Sequence, residues 1–140
     1  LYIQQKLDQI TADPASSPMA SFSNNVVQLF SEITQTEANL AFDGSLPIEV
    51  KRGDVMLPPE LLSRGGGGAL ALAIRLAMAK VYLDNGGGFL MFDDPLVNFD
   101  ATRMGLATGL IKDYAENTQI LYFTCHDHQA HALQTGKMEH

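Results

Sequence analysis

The sequence has a single cysteine and no long hydrophobic run, and each shortage argues against a class of protein. Cys125 has no second cysteine with which to form an internal disulfide, which favours a reducing compartment and a cytoplasmic protein. No apolar stretch reaches the ~18 residues of a membrane span, and no basic, apolar leader opens the chain. We therefore predict no membrane partner. The first residue is Leu1 rather than Met, from which we expect a processed chain or a fragment.

Basic residues are also scarce. Nine Lys and Arg stand against sixteen Asp and Glu, which gives a net charge of -7, and the basic residues are scattered along the chain. A surface that binds DNA through its phosphates needs clustered Lys and Arg. If the whole protein binds DNA, we do not expect this segment to supply the attraction.

The first half of the chain mixes helical and strand patterns. At 140 residues the chain is long enough for one hydrophobic core. We predict a short helical end, a Pro-containing linker, a helix with an apolar stripe that is capped by Ser23 or Asn24, and a β-hairpin that turns at Asp43-Gly44-Ser45. In order, these segments are Leu1–Ile10, Ala12–Ser23, Val26–Ile33 and Asn39–Arg52.

The second half alternates helices with short apolar strands. Leu70–Leu83 consists of good helix formers and is apolar nearly all round, so we expect it to be buried on most faces. Phe89–Phe92 has the composition of a buried parallel strand, Ala101–Glu116 that of a helix, and Gln119–Cys125 that of a second strand. This order predicts an α/β fold with a parallel strand pair.

Two carboxylates follow the first of these strands directly. In open α/β sheets, ligands bind at the carboxyl ends of the strands. There Asp93 could hold a hydrated Mg²⁺, and Asp94 could orient or deprotonate an attacking water. The alternative is a strand that ends in a solvated Asp-Asp-Pro turn.

A serine followed by four glycines precedes the long helix. Ser63 and the run Gly65–Gly68 would present free backbone N–H groups and a hydroxyl at a helix N-terminus, which together form an anion site. The alternative is a flexible glycine linker that caps the helix.

A histidine follows the second strand. If the two strands are neighbours, His126 emerges at the same sheet edge as Asp93 and Asp94, where its imidazole could bond to a phosphate or to water. A metal site of His126 with nearby histidines competes with this interpretation, but a closed zinc site is disfavoured because no second cysteine exists. We interpret the remaining histidines as structural or exposed: His128, His131 and His140.

Together these motifs resemble the C-terminal lobe of an ABC-type P-loop ATPase head, in the branch of the SMC proteins and the coiled-coil DNA-repair ATPases. Leu62–Gly65 resembles the signature motif, and Ala69–Ala79 resembles the helix that follows it. Phe89–Asp94 resembles Walker B, Pro95–Asp100 the D-loop, and Thr124–His126 the switch histidine. Four motifs in family order are far more specific than any one of them.

The resemblance implies an ATPase, a hydrolase that uses ATP and Mg²⁺ and dimerises through ATP. It implies that Asp93 binds Mg²⁺ through water and that Asp94 is the general base. It also implies that His126 senses the γ-phosphate and that Asp100 acts across the dimer. It also implies contact with the partner's nucleotide from Ser63, Arg64, Gly65 and Gly66, at and directly after the signature motif. Of these, Ser63 and Gly65 would reach the γ-phosphate.

Two departures from the family pattern stand out. Asp94 occupies the place of the usual Glu, and its shorter side chain could slow hydrolysis. Gly66 occupies the place of a Gln or Glu, and the glycine run Gly66–Gly68 would add backbone freedom to the signature loop.

No G-x-x-x-x-G-K-[ST] motif occurs in the sequence, so no phosphate-binding loop is present. The resemblance places that loop in an N-terminal lobe, joined through a coiled coil, so we expect this chain to be inactive by itself. We divide it into a coiled-coil stub and linker (1–23), a helix and hairpin (24–60), and the motif-bearing region (61–140). Two alternatives are a non-hydrolysing dimerisation or regulatory module and the ATPase subunit of a membrane transporter.

Overall fold

The computed structural model describes residues 18–43, 46–83 and 87–134. The helical end predicted for Leu1–Ile10 lies outside these residues, as do His140 and the first part of the predicted linker. The elements in chain order are α1 (Pro18–Thr34), β1 (Leu40–Asp43), β2 (Leu46–Arg52), β3 (Val55–Leu57), a 3₁₀ turn (Pro59–Leu61), α2 (Arg64–Tyr82), β4 (Phe89–Asp93), α3 (Ala101–Ala115), β5 (Gln119–Phe123) and α4 (Asp127–Leu133).

Helix α1 has the predicted apolar stripe but begins earlier than predicted. Val26 and Ile33 are completely buried. The helix starts at Pro18, so the expectation of a linker through Ser23 and of a cap at Ser23 or Asn24 is wrong. Proline suits the first turn of a helix, because its fixed φ is already helical and its missing N–H would have no partner there. Phe22, on the added turn, joins the core.

Helix α2 packs against α1 and also begins earlier than predicted. The prediction placed its start at Leu70, whereas the helix starts at Arg64 and includes all four glycines. Ala69, Ala73 and Ala77 recur every four residues and are completely buried. Residues at this spacing share one helix face, and their small side chains let neighbouring segments approach closely.

A small antiparallel sheet follows α1. Strands β1 and β2 pair antiparallel in the predicted hairpin, with Leu40 opposite Val50. Strand β3, which we did not predict, pairs with β2 and completes three strands. Leu40 and Val50 are buried and join this sheet to the main core.

Strands β4 and β5 form the predicted parallel pair, in a register that places Phe89 opposite Gln119 and Asp93 opposite Phe123. The carboxyl ends of both strands therefore meet at one edge. The expectation that β4 is buried is correct only in part. Phe92 is completely buried, but Phe89 and Met91 are 52% and 57% exposed, because side chains alternate between the two faces and one face is uncovered among the described residues.

The core lies between α1, α2, α3 and one face of the parallel pair. Phe92 and Leu96 bring the end of β4 into this core, so the acidic turn between them is anchored on both sides. None of the described helices combines the length and the apolar character needed to cross a membrane.

Candidate nucleotide-hydrolysis site

Asp94 turns the chain sharply at the end of β4. Its backbone N–H donates to the carbonyl of Phe123 at 2.9 Å, which extends the strand pairing by one residue. Its φ is +43°, in the left-handed region that residues other than glycine seldom adopt. Unusual backbone conformations of this kind are concentrated at functional sites.

The Asp94 carboxylate lies against three consecutive residues that follow β5. The hydroxyl of Thr124 donates to Oδ1 at 2.5 Å, and the thiol of Cys125 donates to Oδ2 at 3.3 Å. Nε2 of His126 lies 4.0 Å from Oδ2. The parallel register thus brings the predicted acid and the predicted histidine together, as the position of the two strands implied.

These contacts determine the protonation of the site. The hydrogen bond from Thr124 is the main cause that lowers the pKa of Asp94, and desolvation opposes it in part. The hydrogen bond to the Asp94 carboxylate and its charge raise the pKa of the Cys125 thiol. At neutral pH the site therefore holds an ionised carboxylate and a protonated thiol.

A buried glutamine contacts the residues around Asp94. Gln129 is only 1% exposed, and its Oε1 accepts the hydroxyl proton of Tyr122 at 2.6 Å. The same oxygen lies 3.3 Å from the hydroxyl oxygen of Thr124, which also accepts the backbone N–H of His126 at 3.1 Å. Burial, with the nearby charge of Asp94, raises the pKa of Tyr122 to about 12, so this hydroxyl remains a donor.

Sequence reasoning missed the roles of Thr124 and Gln129. Thr124 lies directly before Cys125 and His126, and a hydroxyl at a strand end was the available signal. Gln129 gave no signal, because a single polar residue on a short polar helix is normally exposed.

Asp93 lies at the same edge, and its charge contributes to the raised pKa of the Cys125 thiol. Its side chain is exposed and makes no hydrogen bond or ion pair with any residue of the described ranges. An unpaired carboxylate at a strand end suits a hydrated Mg²⁺, which prefers oxygen ligands and retains several waters.

The signature-like residues begin α2. Ser63 is the N-cap, and its Oγ accepts the N–H of Gly66 at 3.2 Å. Arg64 is the first helical residue and is exposed. The glycine run is thus the first turns of a helix, so the alternative of a flexible linker is wrong, as is the expectation that Gly66–Gly68 adds freedom to a loop.

Two of these glycines permit a close approach of the D-loop-like segment. A Cβ on Gly65 would lie 2.9 Å from the backbone oxygen of Asn98 and 3.0 Å from Nη1 of Arg103. A Cβ on Gly68 would lie 3.0 Å from the ring of Phe99. Contacts this short leave no room for a methyl group at Gly65, because a backbone carbonyl cannot move aside easily.

A cavity of about 200 Å³ lies beside the start of α2. Ser63 and Gly66 line it together with two basic residues, Lys51 and Arg103, and one acid, Glu37. A helix N-terminus with nearby basic groups suits an anion.

Asp100 has a role within the chain. It caps α3, with Oδ1 accepting the N–H of Arg103 at 2.9 Å, and its Oδ2 lies 3.6 Å from Nε of the same arginine. A role across a dimer would use the same carboxylate.

The other described histidines are exposed, as predicted. Nδ1 of His131 lies 2.7 Å from the carbonyl oxygen of Asp127, one helical turn earlier. The ring of His128 lies 5.5 Å from that of His126.

Known proteins resemble this chain in sequence and in fold. No protein-family model matches the chain. The DNA double-strand break repair Rad50 ATPase of Sulfurisphaera tokodaii is 30% identical over 134 residues, which is 95% of this chain and 15% of that protein. The Smc head domain of Pyrococcus furiosus, solved with an extended coiled coil and bound to the C-terminal domain of ScpA, superposes with a TM-score of 0.64 at 21% identity, over 81% of this chain and 30% of the other.

The chain resembles the C-terminal lobe of an SMC-like ABC ATPase head in sequence and in fold. A structure described as showing ATP-driven dimerization and DNA-stimulated activation of SMC ATPases agrees, with a TM-score of 0.65 and 22% identity over 81% of the lobe and 73% of that chain. The resemblance inferred from the four motifs and the predicted α/β fold are both confirmed. The lobe spans about 15% of the length of the curated Rad50 protein that it matches.

Proposed function

We propose that this lobe is one half of an ATP-hydrolysing head and supplies its carboxylates, its switch histidine and its signature motif. The observation that supports this proposal is that Asp94 and His126 meet at the carboxyl edge of two parallel strands. Nε2 of His126 lies 4.0 Å from Oδ2 of Asp94. Similarity to a Rad50 ATPase of DNA double-strand break repair makes DNA repair or chromosome maintenance the process we propose. With a net charge of -7, any DNA contact would come mainly from other parts of the protein.

The contacts support the proposed roles. Asp93, exposed and unpaired within the described ranges, would hold Mg²⁺ through water, and the ion would neutralise charge on the phosphates. Asp94 would orient the attacking water and accept its proton, while Thr124 holds one carboxylate oxygen in place. His126 would sense the γ-phosphate.

The signature-like residues would act on the nucleotide of a second copy. Ser63 caps α2, and Arg64, Gly65 and Gly66 form its first turn, where the helix dipole and the N–H groups that the cap leaves free favour a phosphate. The basic side chains beside the adjacent cavity strengthen this preference. The Asp100 carboxylate, once released from the N–H of Arg103, would contact the second copy across the same dimer.

The missing phosphate loop requires a partner, which we propose is an N-terminal lobe of the same protein. A two-stranded sheet is at best marginally stable alone, and its outer edges are unpaired among the described residues. Phe89, Met91 and Phe123 also expose more than half of their surface on this sheet. Further strands from the N-terminal lobe would pair with these edges and cover these side chains.

A second candidate function is a dimerisation module that does not hydrolyse ATP. The hydrogen bond from Thr124 lowers the pKa of Asp94, which makes this carboxylate a weak base, since an effective general base titrates near the working pH.

Asp94→Asn in the full-length protein separates the two functions. Hydrolysis that uses this carboxylate should slow by ~10²-fold or more, because the amide cannot accept the proton. The measurement is the steady-state rate of phosphate release at saturating ATP. Asp113→Asn, which removes an exposed acid from α3, is the matched control and should retain the wild-type rate. Unchanged turnover in Asp94→Asn would favour the module.

A further inference from the structure

The cluster around Asp94 contains a thiol that the proposed hydrolysis does not use. We propose that Asp94, Cys125 and His126 form a three-ligand site for a borderline-soft divalent cation of the Zn²⁺ class. Each residue offers one ligand atom, and the three atoms lie within 4.8 Å of one another. Among the described residues this is the one such group of three.

Two of the three distances between ligand atoms are close to those of a tetrahedral site. Zn²⁺ bonds of about 2.3 Å to sulfur and about 2.0–2.2 Å to nitrogen or oxygen place neighbouring ligand atoms roughly 3.4–3.6 Å apart. Sγ of Cys125 is already 3.3 Å from Oδ2 of Asp94, and Nε2 of His126 is 4.0 Å from the same oxygen. Closure needs movements of less than ~1 Å for these two pairs, which small side-chain rotations supply.

The donor atoms select the type of metal. A thiolate and an imidazole suit Zn²⁺, whereas Mg²⁺ prefers oxygen ligands alone. Two cations would thus bind at one sheet edge, a hard one at Asp93 and a softer one at the cluster. Three protein ligands leave a fourth position for water, which is an open site rather than the closed four-ligand site that the single cysteine argues against.

The cluster is accessible to an ion and held in place. The side chains of Asp94 and His126 are 28% and 36% exposed, and Cys125 is exposed. Thr124 binds the other carboxylate oxygen, so Oδ2 points toward the thiol and the imidazole. Such second-sphere hydrogen bonds orient metal ligands.

Binding would release the thiol proton, so affinity should rise with pH. A cation here would also occupy Asp94 and His126 and thereby inhibit hydrolysis. That consequence rests on the proposed function, whereas binding of the cation does not.

Titration of the full-length protein with Co²⁺, in the absence of nucleotide, tests the site. Bound Co²⁺ should give the absorption of a thiolate-to-metal charge transfer, and Zn²⁺ should displace it. Cys125→Ala should abolish this absorption, and His126→Ala should keep it but weaken Co²⁺ binding at least about tenfold. His131→Ala, a nearby exposed histidine outside the cluster, is the control and should behave as wild type.

Two results would overturn the site: wild-type protein without the charge-transfer absorption at saturating Co²⁺, or Cys125→Ala with an unchanged Co²⁺ spectrum and affinity. Because Cys125 is exposed, its replacement should leave the fold intact, which circular dichroism checks. Neither result depends on ATP turnover, so absence of the metal site would not contradict the proposed ATPase function. Likewise, absence of ATP hydrolysis would not contradict the metal site.

Discussion

The start of α2 and the edge around Asp94 achieve their geometry by opposite means. At the start of α2, missing side chains let the backbone of Asn98 approach Gly65. At the Asp94 edge, side chains are present, and hydrogen bonds from Thr124 and Cys125 hold the carboxylate. Position 65 therefore has no room for an added methyl group, whereas the state of the Asp94 carboxylate depends on its hydrogen-bond donors.

The difference has a physical cause. A contact between a helix and a backbone carbonyl cannot relax without moving an element, so a change there should affect the stability of the whole lobe. The Asp94 cluster is partly exposed to water, so a change there should mainly affect protonation.

The largest expected effect comes from Gly65→Ala. The added methyl group would contact the Asn98 carbonyl at 2.9 Å, and overpacking of this kind typically costs about 1–3 kcal/mol. Denaturant unfolding of the protein measures the change.

Gly67→Ala is the matched control. A methyl group added at Gly67 would meet no atom within 4 Å, and alanine in a helix is more stable than glycine by about 0.5–1 kcal/mol. The two variants should therefore shift the unfolding midpoint in opposite directions. Equal shifts would show that close approach does not explain the glycine at position 65.

Asp100→Ala should have a smaller effect. Loss of the cap on α3 costs about 1 kcal/mol, and Asp100→Asn should retain the cap because asparagine caps helices equally well. Unfolding measurements on both variants distinguish the effect of the cap on stability from the effect of the carboxylate charge. If Asp100→Asn is stable but slows ATP turnover, the charge acts in the proposed dimer and not only as a cap.

Thr124→Val should have the smallest effect on stability and a specific effect on titration. Without the hydroxyl donor, the pKa of Asp94 should rise toward its ordinary value of 3.8, which an NMR titration of the carboxyl group measures. Thr124→Ser retains the donor and should leave the pKa low. An unchanged pKa in Thr124→Val would contradict the proposed control of Asp94 by this hydrogen bond.

The sign of the pH dependence follows from the lowered pKa. The folded state binds the Asp94 proton less tightly than the unfolded state, so the interaction stabilises the protein above the unfolded-state pKa. That stability is lost as the pH falls through the folded-state pKa. The part of the stability difference between wild type and Thr124→Val that acts through Asp94 should be greatest near neutral pH and should vanish in acid.

Local patterns predicted the elements that contain strong periodic or turn signals. The stripe of α1, the hairpin, and the strands that precede Asp93 and His126 were all predicted from the sequence. The start of α1 at Pro18 was not, because a proline within small polar residues is typical of a loop. The helical state of the glycine run was also missed, since glycine propensity argues against a helix and only packing overrides it.

The order of residues along the chain determined by itself that two acids and a histidine each follow an apolar strand, and that a helix between the strands favours a parallel pair. The structure then showed that the two strands are neighbours. Only the tertiary structure decided that Cys125 and Thr124 share the Asp94 carboxylate, that Gln129 is buried beneath them, and that Gly65 faces a carbonyl. Most of those contacts join residues far apart in sequence at distances near 3 Å, and no local propensity determines separations of that kind.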